Sequence, residues 1–411
     1  MVKKNILMVL DASFPPDIRV EKEALSLVDS NCFNVFVLCL KRKSESEFQK
    51  YKGINIIRIN SPAMDQKVKK GIYDSFYAIN HFHRLFYSSI LNYHKEYHFN
   101  FIHVHDLPLA KTARKAAERL KLPYVIDFHE NYAEGLKIWF KWRTNKIIRL
   151  KNTIFFNYKK WSKYERKESL KADHIIAVVK EMKNRLVNEY SLNEKKVTVI
   201  SNTEYLDFHK NTKEVDLPEN LKNKFLITYI GGIGPHRGID TAVEGMSIIK
   251  NSHKDAVLLI IGGGSKEVIN KLRSIIDEKN LHENVILFGK VDISEVSSYM
   301  KNANLNIIPH HSNNHTNNTI PHKLFQILLS KQPILVSSSS PLKRIIEEND
   351  AGYIHKASNK ESFAEQVSKI YNNYDLAKQK AINGHNACVK KDLNWEKTGS
   401  ELIEFYKTLS N

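Results

Sequence analysis

The stretch NTIPHKLFQILLSKQPILV, residues 318–336, opens like a helix aimed at a negative charge. Pro321 suits a first helical position, where its missing N–H costs nothing, and Thr319 reads as the cap before it. Lys323 then falls in the first turn, where a cation opposes the helix dipole unless an anion is bound there. A second segment, YIGGIGPHRGID, places Gly231, Gly232 and Gly234 after an apolar run, with Arg237 just ahead of Gly238 and the next helix. Glycines let the backbone approach a bulky anion, and a guanidinium adds a fixed two-pronged cation. A third, IIGGGS at 260–265, repeats the passage from strand to glycines around Gly263. The shared chemistry is binding of a phosphate-bearing ligand, although glycines after a strand taken singly also read as tight turns. The dinucleotide fingerprint is absent, because no acid closes the next strand at the required distance. His310, His311, His315 and His322 crowd the same region, but no Cys or acid lies among them and their spacing matches no zinc pattern, so no metal site is expected.

These segments need a frame that presents strand ends to a ligand. Near-continuous apolar runs recur at 5–10, 33–40, 54–59, 101–105, 124–128, 174–179 and 197–201, and again at 225–232, 256–264, 284–289, 305–310 and 332–338. Strands covered on both faces require such apolarity, so the sheets should be parallel. The segment DLPLAKTARKAAERLK shows an intervening helix, with Leu109, Ala113, Ala116, Ala117 and Leu120 on one face. Two alternating series predict an α/β protein of two doubly wound Rossmann-like domains, with ligands outside the carboxyl ends of the strands. The expected division is an N-terminal domain at 1–204, a polar linker at 205–222, a C-terminal domain at 223–385, and a last segment at 386–411. In that last segment Trp395, Leu402, Phe405 and Leu409 form one stripe, so its helix should dock on a core, that of the N-terminal domain.

With 42% hydrophobic and 26% charged residues over 411 positions, the composition is that of a globular chain and excludes disordered, collagen-like and repeat classes. Asp11 interrupts the N-terminal apolar run short of a signal-peptide core, and no stretch approaches a membrane span. Cys32, Cys39 and Cys388 lack metal-site spacing and read as reduced thiols, so a cytoplasmic setting is expected. A net charge of +18 must attract an anionic partner. Between Lys137 and Lys167, eleven Lys and Arg face one acid, Glu165, interleaved with Trp139, Phe140, Trp142, Phe155, Phe156, Tyr158 and Trp161. That mixture suits a peripheral contact with an anionic membrane and equally an ordinary solvated helix pair. No nucleic-acid-binding signature accompanies it, so no nucleic acid is expected.

In order and spacing, the motifs resemble a bacterial glycosyltransferase of family 4, a retaining class with the GT-B fold, over nearly the whole chain. FPPDIRVEKEA (14–24) is similar to the family's opening segment; HVHD (103–106) and IDFHEN (126–131) to its two His-bearing strand ends. ADHIIAV (172–178) and VISNTEYLDF (199–208) resemble the segments before its interdomain linker. GGIGPHRGID resembles the donor-phosphate loop, and IPHKLFQILLSKQPILVSS the nucleotide-site helix, commonly Pro-Asn-Lys-Leu-Phe-Glu. The resemblance implies transfer of a sugar from a nucleotide sugar, a UDP-sugar above all, to a lipid-linked or glycan acceptor in cell-surface polysaccharide biosynthesis, at the inner face of the cell membrane. It implies no cofactor and no metal.

The same resemblance implies roles for particular residues. His129, Arg237 and Lys323 would be catalytic, with His129 facing the donor sugar. Gly231, Gly232, Gly234, Arg237, Gly263, Asn318, Thr319, Ile320, Lys323 and Gln326 would bind the donor. Asp17, Arg19, His105, Asp106 and Glu130 would line the acceptor side. The family's paired glutamates fall on Asn318 and Gln326, and the Arg usual after the first glycine pair is absent; Lys323 is the candidate replacement. Those amides keep two other readings open, a GT-B epimerase or hydrolase and a non-catalytic sugar-nucleotide binder.

Overall fold

A computed structural model describes residues 2–60, 77, 79–139, 145–210 and 212–410. The chain forms two compact units, Met1–Lys137 with Asn145–Ser201 and Thr398–Asn411, and Ile138–Thr144 with Asn202–Lys397. Phe140 and Trp142 of the basic aromatic segment lie outside the described residues.

The first unit is built on an eight-stranded sheet. Its strands are β1 (Lys4–Val9), β2 (Phe33–Leu40), β3 (Phe48–Tyr51), β4 (Ile54–Ile59), β5 (Phe101–His105), β6 (Tyr124–Phe128), β7 (His174–Ala177) and β8 (Val197–Val199), in the order β3-β4-β2-β1-β5-β6-β7-β8. All neighbours are parallel except β3, an antiparallel edge strand that pairs Phe48 with Ile57. FQKY is largely exposed, so it lacks the apolar run that marks the others in the sequence. Val20, Ala24 and Leu27 of the helix Ile18–Asp29 pack with Ile6, Met8, Val35 and Val37 of the sheet. Leu402 and Tyr406 of the last helix, Trp395–Leu409, complete this core, with Phe405 and Leu409 half-buried beside it. Each fully buried side chain of this kind contributes about 1.5–3 kcal/mol.

The second unit carries a six-stranded parallel sheet: β9 (Phe225–Ile230), β10 (Ala256–Ile261), β11 (Val285–Gly289), β12 (Leu305–Ile308), β13 (Ile334–Ser337) and β14 (Tyr353–His355), in the order β11-β10-β9-β12-β13-β14. The order reverses at β9, so the loops after β9 and β12 open side by side at a switch point, where such sheets bind ligands. Ile227, Tyr229, Leu258, Ile260 and Leu335 pack against Ala242, Val243 and Met246 of the helix Ile239–Ser252, and against Phe363 and Val367 of the helix Lys360–Asn372.

The units part at places the composition does not mark. The polar segment 205–222, expected as a linker, belongs to the second unit: Lys213 N–H donates to Ser294 O at 2.9 Å and Val215 N–H to Ser298 Oγ at 2.9 Å. The Ser294 carbonyl and the buried Ser298 hydroxyl supply partners that a polar segment otherwise finds in water. The expected break at 385/386 falls inside the helix Tyr374–Lys390, and the chain returns to the first unit at Thr398.

Candidate active site

In the second unit the three glycine-bearing loops are tied together by backbone bonds. Gly231 N–H donates to Ile261 O at 2.9 Å, Ile233 N–H to Gly263 O at 2.9 Å, and Gly262 N–H to Gly289 O at 2.6 Å. Gly231 adopts φ +135°, and a Cβ there would lie 3.0 Å from Lys323 Nζ. Glycine is therefore required twice, for its dihedral and for the room it leaves an ammonium. Gly232 and Gly234 continue the loop, and Gly232 has open space where a Cβ would stand. At Gly238, φ +63°, a Cβ would lie 1.9 Å from Pro309 O, so the loop carrying Arg237 is pressed against the end of β12.

Lys323 is partly exposed along its stem, but its Nζ is buried, 3.7 Å above the Tyr229 ring, without a hydrogen-bond partner among the described residues. Tyr229 is held in turn by its hydroxyl, which donates to Gly232 O at 2.6 Å. Burial, and secondarily Arg237, holds the Lys323 ammonium well below the ordinary lysine range. Arg237 donates from Nη1 to His310 Nε2 at 3.1 Å, which leaves His310 with its proton on Nδ1. Burial and then Arg237 hold His310 well below the usual histidine range and push His236 down to about 2. These imidazoles are neutral, which leaves Arg237 and Lys323 as the side chains of this loop and helix start that can carry positive charge.

The helix after this loop corrects part of the sequence reading. It spans Lys323–Leu329 with no side-chain cap, so Pro321 stands two residues before it. Thr319 does not cap it; its hydroxyl donates to His315 O at 3.2 Å. The early turn closes instead through Leu324 N–H to Pro321 O at 3.0 Å. Asn318 ends a 3-10 turn, its Nδ2 donating to Asn314 O at 2.7 Å, and Ile320 is buried. Gln326 sits one turn after Lys323 on the same side of the helix, buried and bonded to Glu204. The four histidines remain separate: His311 pairs with Asp240 at 2.9 Å and His322 with Glu204 at 2.7 Å.

In the first unit, the ends of β5 and β6 and the helix Ile18–Asp29 assemble a buried ionic network. Asp127 Oδ2 receives His129 Nε2 at 2.8 Å and His105 Nδ1 at 3.2 Å, and His103 Nε2 stands 3.4 Å away. His103 Nδ1 is 2.6 Å from the Tyr406 hydroxyl, which ties the last helix into the network. Glu23 lies 3.6 Å from His129. Burial and the neighbouring Asp127 push the Glu23 carboxyl well up. Burial alone would also raise Asp127, but His129 and three imidazole hydrogen bonds outweigh it and hold that carboxyl well below its usual range. Burial would likewise depress His129; Asp127 outweighs it and raises the imidazole to about 9. His105, burdened by burial and by His103, is pushed down to about 3. The result is a buried imidazolium–carboxylate pair beside a carboxyl that holds its proton more tightly than usual. Among the described residues, Glu23, His103, His105 and Asp127 are also the group whose candidate ligand atoms lie within 4.8 Å of one another.

Around this network the structure gathers most of the residues expected on the acceptor side. Asp17 caps the helix Ile18–Asp29, accepting from Arg19 N–H at 3.1 Å, and pairs with the Arg19 guanidinium at 2.9 Å. Asp106, at φ +60°, accepts the His129 backbone N–H at 3.2 Å and stands 4.0 Å from Arg19. Glu130 follows His129 and interacts electrostatically with Arg19. Sequence reasoning missed Glu23, His103, Asp127 and Glu204. One of them, Asp127, carries a readable signal, since a carboxylate inside an apolar run, as in YVIDF, demands a buried partner.

Comparison with known proteins agrees with this architecture. Residues 26–203 match the sequence model described as Glycosyltransferase Family 4, and residues 211–387 the one described as Glycosyl transferases group 1. The chain is 24% identical over 279 residues to the capsular polysaccharide biosynthesis glycosyltransferase CapM of Staphylococcus aureus, spanning 64% of this chain and 70% of the relative. Among solved structures it is similar to a sucrose-phosphate synthase from Thermosynechococcus elongatus, with TM-score 0.77, 14% identity and 99% of each chain covered. It is also similar to HepE from Anabaena in complex with UDP-glucose, with TM-score 0.70, 11% identity, and 98% of this chain and 99% of that one covered. Two parallel α/β units with the GT-B fold, matched in order by the two family descriptions, show that the chain belongs to the family 4 glycosyltransferases.

Proposed function

We propose that this glycosyltransferase moves a sugar, with retention, from a nucleoside diphosphate sugar, most simply a UDP-sugar, to a lipid-linked or glycan acceptor in cell-surface polysaccharide biosynthesis. The observation that carries this reading is the buried Lys323 ammonium, without a hydrogen-bond partner among the described residues, beside Arg237 and against Gly231. A buried cation without a partner is costly, and a diphosphate would relieve that cost at the point where negative charge grows as the sugar departs. The acceptor hydroxyl forms the new bond to the anomeric carbon as the bond to the diphosphate breaks, and its proton passes to the departing phosphate. Arg237 and Lys323 supply the positive charge, so the transfer is proposed to need no metal. The UDP-glucose complex of HepE and the name of CapM favour this donor class and this pathway.

Thermal stabilisation by UDP, GDP and ADP, repeated with EDTA and with Arg237→Ala, tests the reading. A ligand at a hundredfold excess over its Kd adds about 2.7 kcal/mol to the unit that binds it. A shift for one nucleotide that survives EDTA and vanishes in Arg237→Ala is expected. No shift with any of the three would overturn the nucleotide-sugar reading.

The segment 137–167 is proposed to hold the enzyme against an anionic membrane, near a lipid-linked acceptor. No helix among the described residues is long and apolar enough to cross a membrane. The helix Lys146–Phe155 exposes Leu150 and Ile154 beside Arg149 and Lys151, the pairing of apolar and basic groups that interfacial binding uses. Changing Lys159, Lys160 and Lys163 to Glu should reduce cosedimentation with phosphatidylglycerol vesicles at least tenfold, since each basic residue near such a surface contributes about 1 kcal/mol. Cosedimentation at the wild-type level would remove the membrane from this proposal.

A further inference from the structure

The amide at position 326 is held in one orientation by groups from two directions. Gln326 Nε2 donates to Glu204 Oε2 at 2.9 Å and lies 3.4 Å from His322 Nδ1. His322 Nε2 reaches the same Glu204 oxygen at 2.7 Å, while Glu204 Oε1 accepts Tyr205 N–H at 2.9 Å. Glu204 is itself anchored, its carbonyl accepting Trp395 N–H at 2.8 Å. An ionised carboxylate can only accept, so the nitrogen of the Gln326 amide must face it. With Nε2–H of His322 directed at Glu204, Nδ1 is an acceptor for the second amide hydrogen. Both hydrogens are then committed, and Oε1 is forced to the opposite side, where it accepts no hydrogen bond among the described residues.

That oxygen is a fixed, neutral acceptor one helical turn from the Lys323 ammonium. A ligand that satisfies both carries an anion and a hydroxyl roughly 5 Å apart, the separation of one turn of helix, as a nucleoside diphosphate does through its phosphates and ribose. Resting on the nucleotide-sugar reading above, we propose that Glu204, with His322, is a positioning residue that locks the Gln326 amide so that its carbonyl accepts the ribose hydroxyls of the donor. An acid one segment away thereby makes a glutamine act as the acceptor that a glutamate at 326 would be.

The test begins with isothermal titration of the wild-type chain with UDP, GDP and ADP, then with the 2′,3′-dideoxy form of whichever binds. The expected preference for the ribose form is about tenfold, the effect of one well-formed hydrogen bond to a buried group. Glu204→Ala should bring that ratio close to one while leaving affinity for the dideoxy form within twofold. A purely structural role for Glu204 would weaken both ligands together and leave the ratio in place, which would overturn the proposal. Should Glu204→Ala fail to fold, reciprocal exchange decides. Gln326→Glu alone sets two carboxylates against each other and should lose at least tenfold in UDP affinity, and the double variant Glu204→Gln/Gln326→Glu should recover most of it. A double variant weaker than either single change would refute the lock. Wild-type protein that binds a nucleotide without preferring its ribose form would refute it too, leaving the nucleotide reading intact; wild-type protein that binds none of the three would end both.

Discussion

Replacing Lys323 with methionine should make the free protein more stable and at the same time destroy nucleotide binding. The ammonium is buried over Tyr229 with no hydrogen-bond partner among the described residues, and methionine keeps the length of the side chain and a favourable contact with the ring. Removing an unsatisfied buried donor should stabilise the second unit by about 1–3 kcal/mol, a rise in its Tm of roughly 2–4 °C per kcal/mol. Binding should fall by about 10- to 150-fold, because a charge-assisted bond to phosphate contributes roughly 1.5–3 kcal/mol. The pH dependence has a definite sign. The folded chain holds this lysine below its ordinary value of 10.5, so the unfolded chain binds the extra proton and stability rises with pH up to that value. The advantage of Lys323→Met over wild type should therefore be largest at neutral and acid pH and vanish as pH passes 10.5. Nucleotide binding favours the charged form and so should raise the proton affinity of this lysine, which titration calorimetry in two buffers of different ionisation heat would register as proton uptake. A methionine variant that binds as tightly as wild type would remove Lys323 from the site.

Asp127→Asn should be among the most destabilising polar substitutions in the first unit, by about 3–5 kcal/mol, because it strips the partner from a buried imidazolium. Glu23→Gln, a few ångströms away, should change stability by less than about 0.5 kcal/mol near neutral pH. Burial and Asp127 favour the protonated form of Glu23, and an amide likewise keeps a hydrogen to donate. The contrast is checked by urea midpoints of the two variants, and equal losses would show that the charges are not distributed in this way. Again the sign follows from the shifts. His129, raised from 6.5 to about 9, contributes stability that is complete below 6.5 and lost as pH climbs through 9. Asp127, depressed from 3.8, contributes stability present above that value and lost as pH falls through its lower folded value. The gap between wild type and Asp127→Asn should be widest between roughly pH 4 and 6.5 and narrow on either side.

Much of the architecture was legible because buried parallel strands write themselves as apolar runs. β2, β4, β5 and β6 coincide with the runs expected for them, and the glycine-bearing ends of β9 and β10 lead into the predicted phosphate-facing loops. The exposed edge strand β3 and the three-residue β14 escaped notice, since neither carries the run that two covered faces impose. The helix start at 319–322 was misjudged by a local rule: a proline and a threonine in the right order read as a cap, whereas the chain spends Thr319 on His315 and begins its helix at Lys323.

The amino-acid sequence by itself determined the class of the molecule, its two parallel-sheet series and its glycine turns, and it placed Arg237 and Lys323 where an anion is expected. Those features depend on periodicity and on residue type, which act over a few positions. Tertiary structure alone decided which polar groups meet. Gln326 finds Glu204 across 122 positions and His103 finds Tyr406 across 303, and in each case the meeting sets a proton or an orientation that neither residue has in isolation. An amide is an acceptor or a donor, and a carboxyl charged or neutral, according to what is packed against it once water is gone. Only folding brings that packing about.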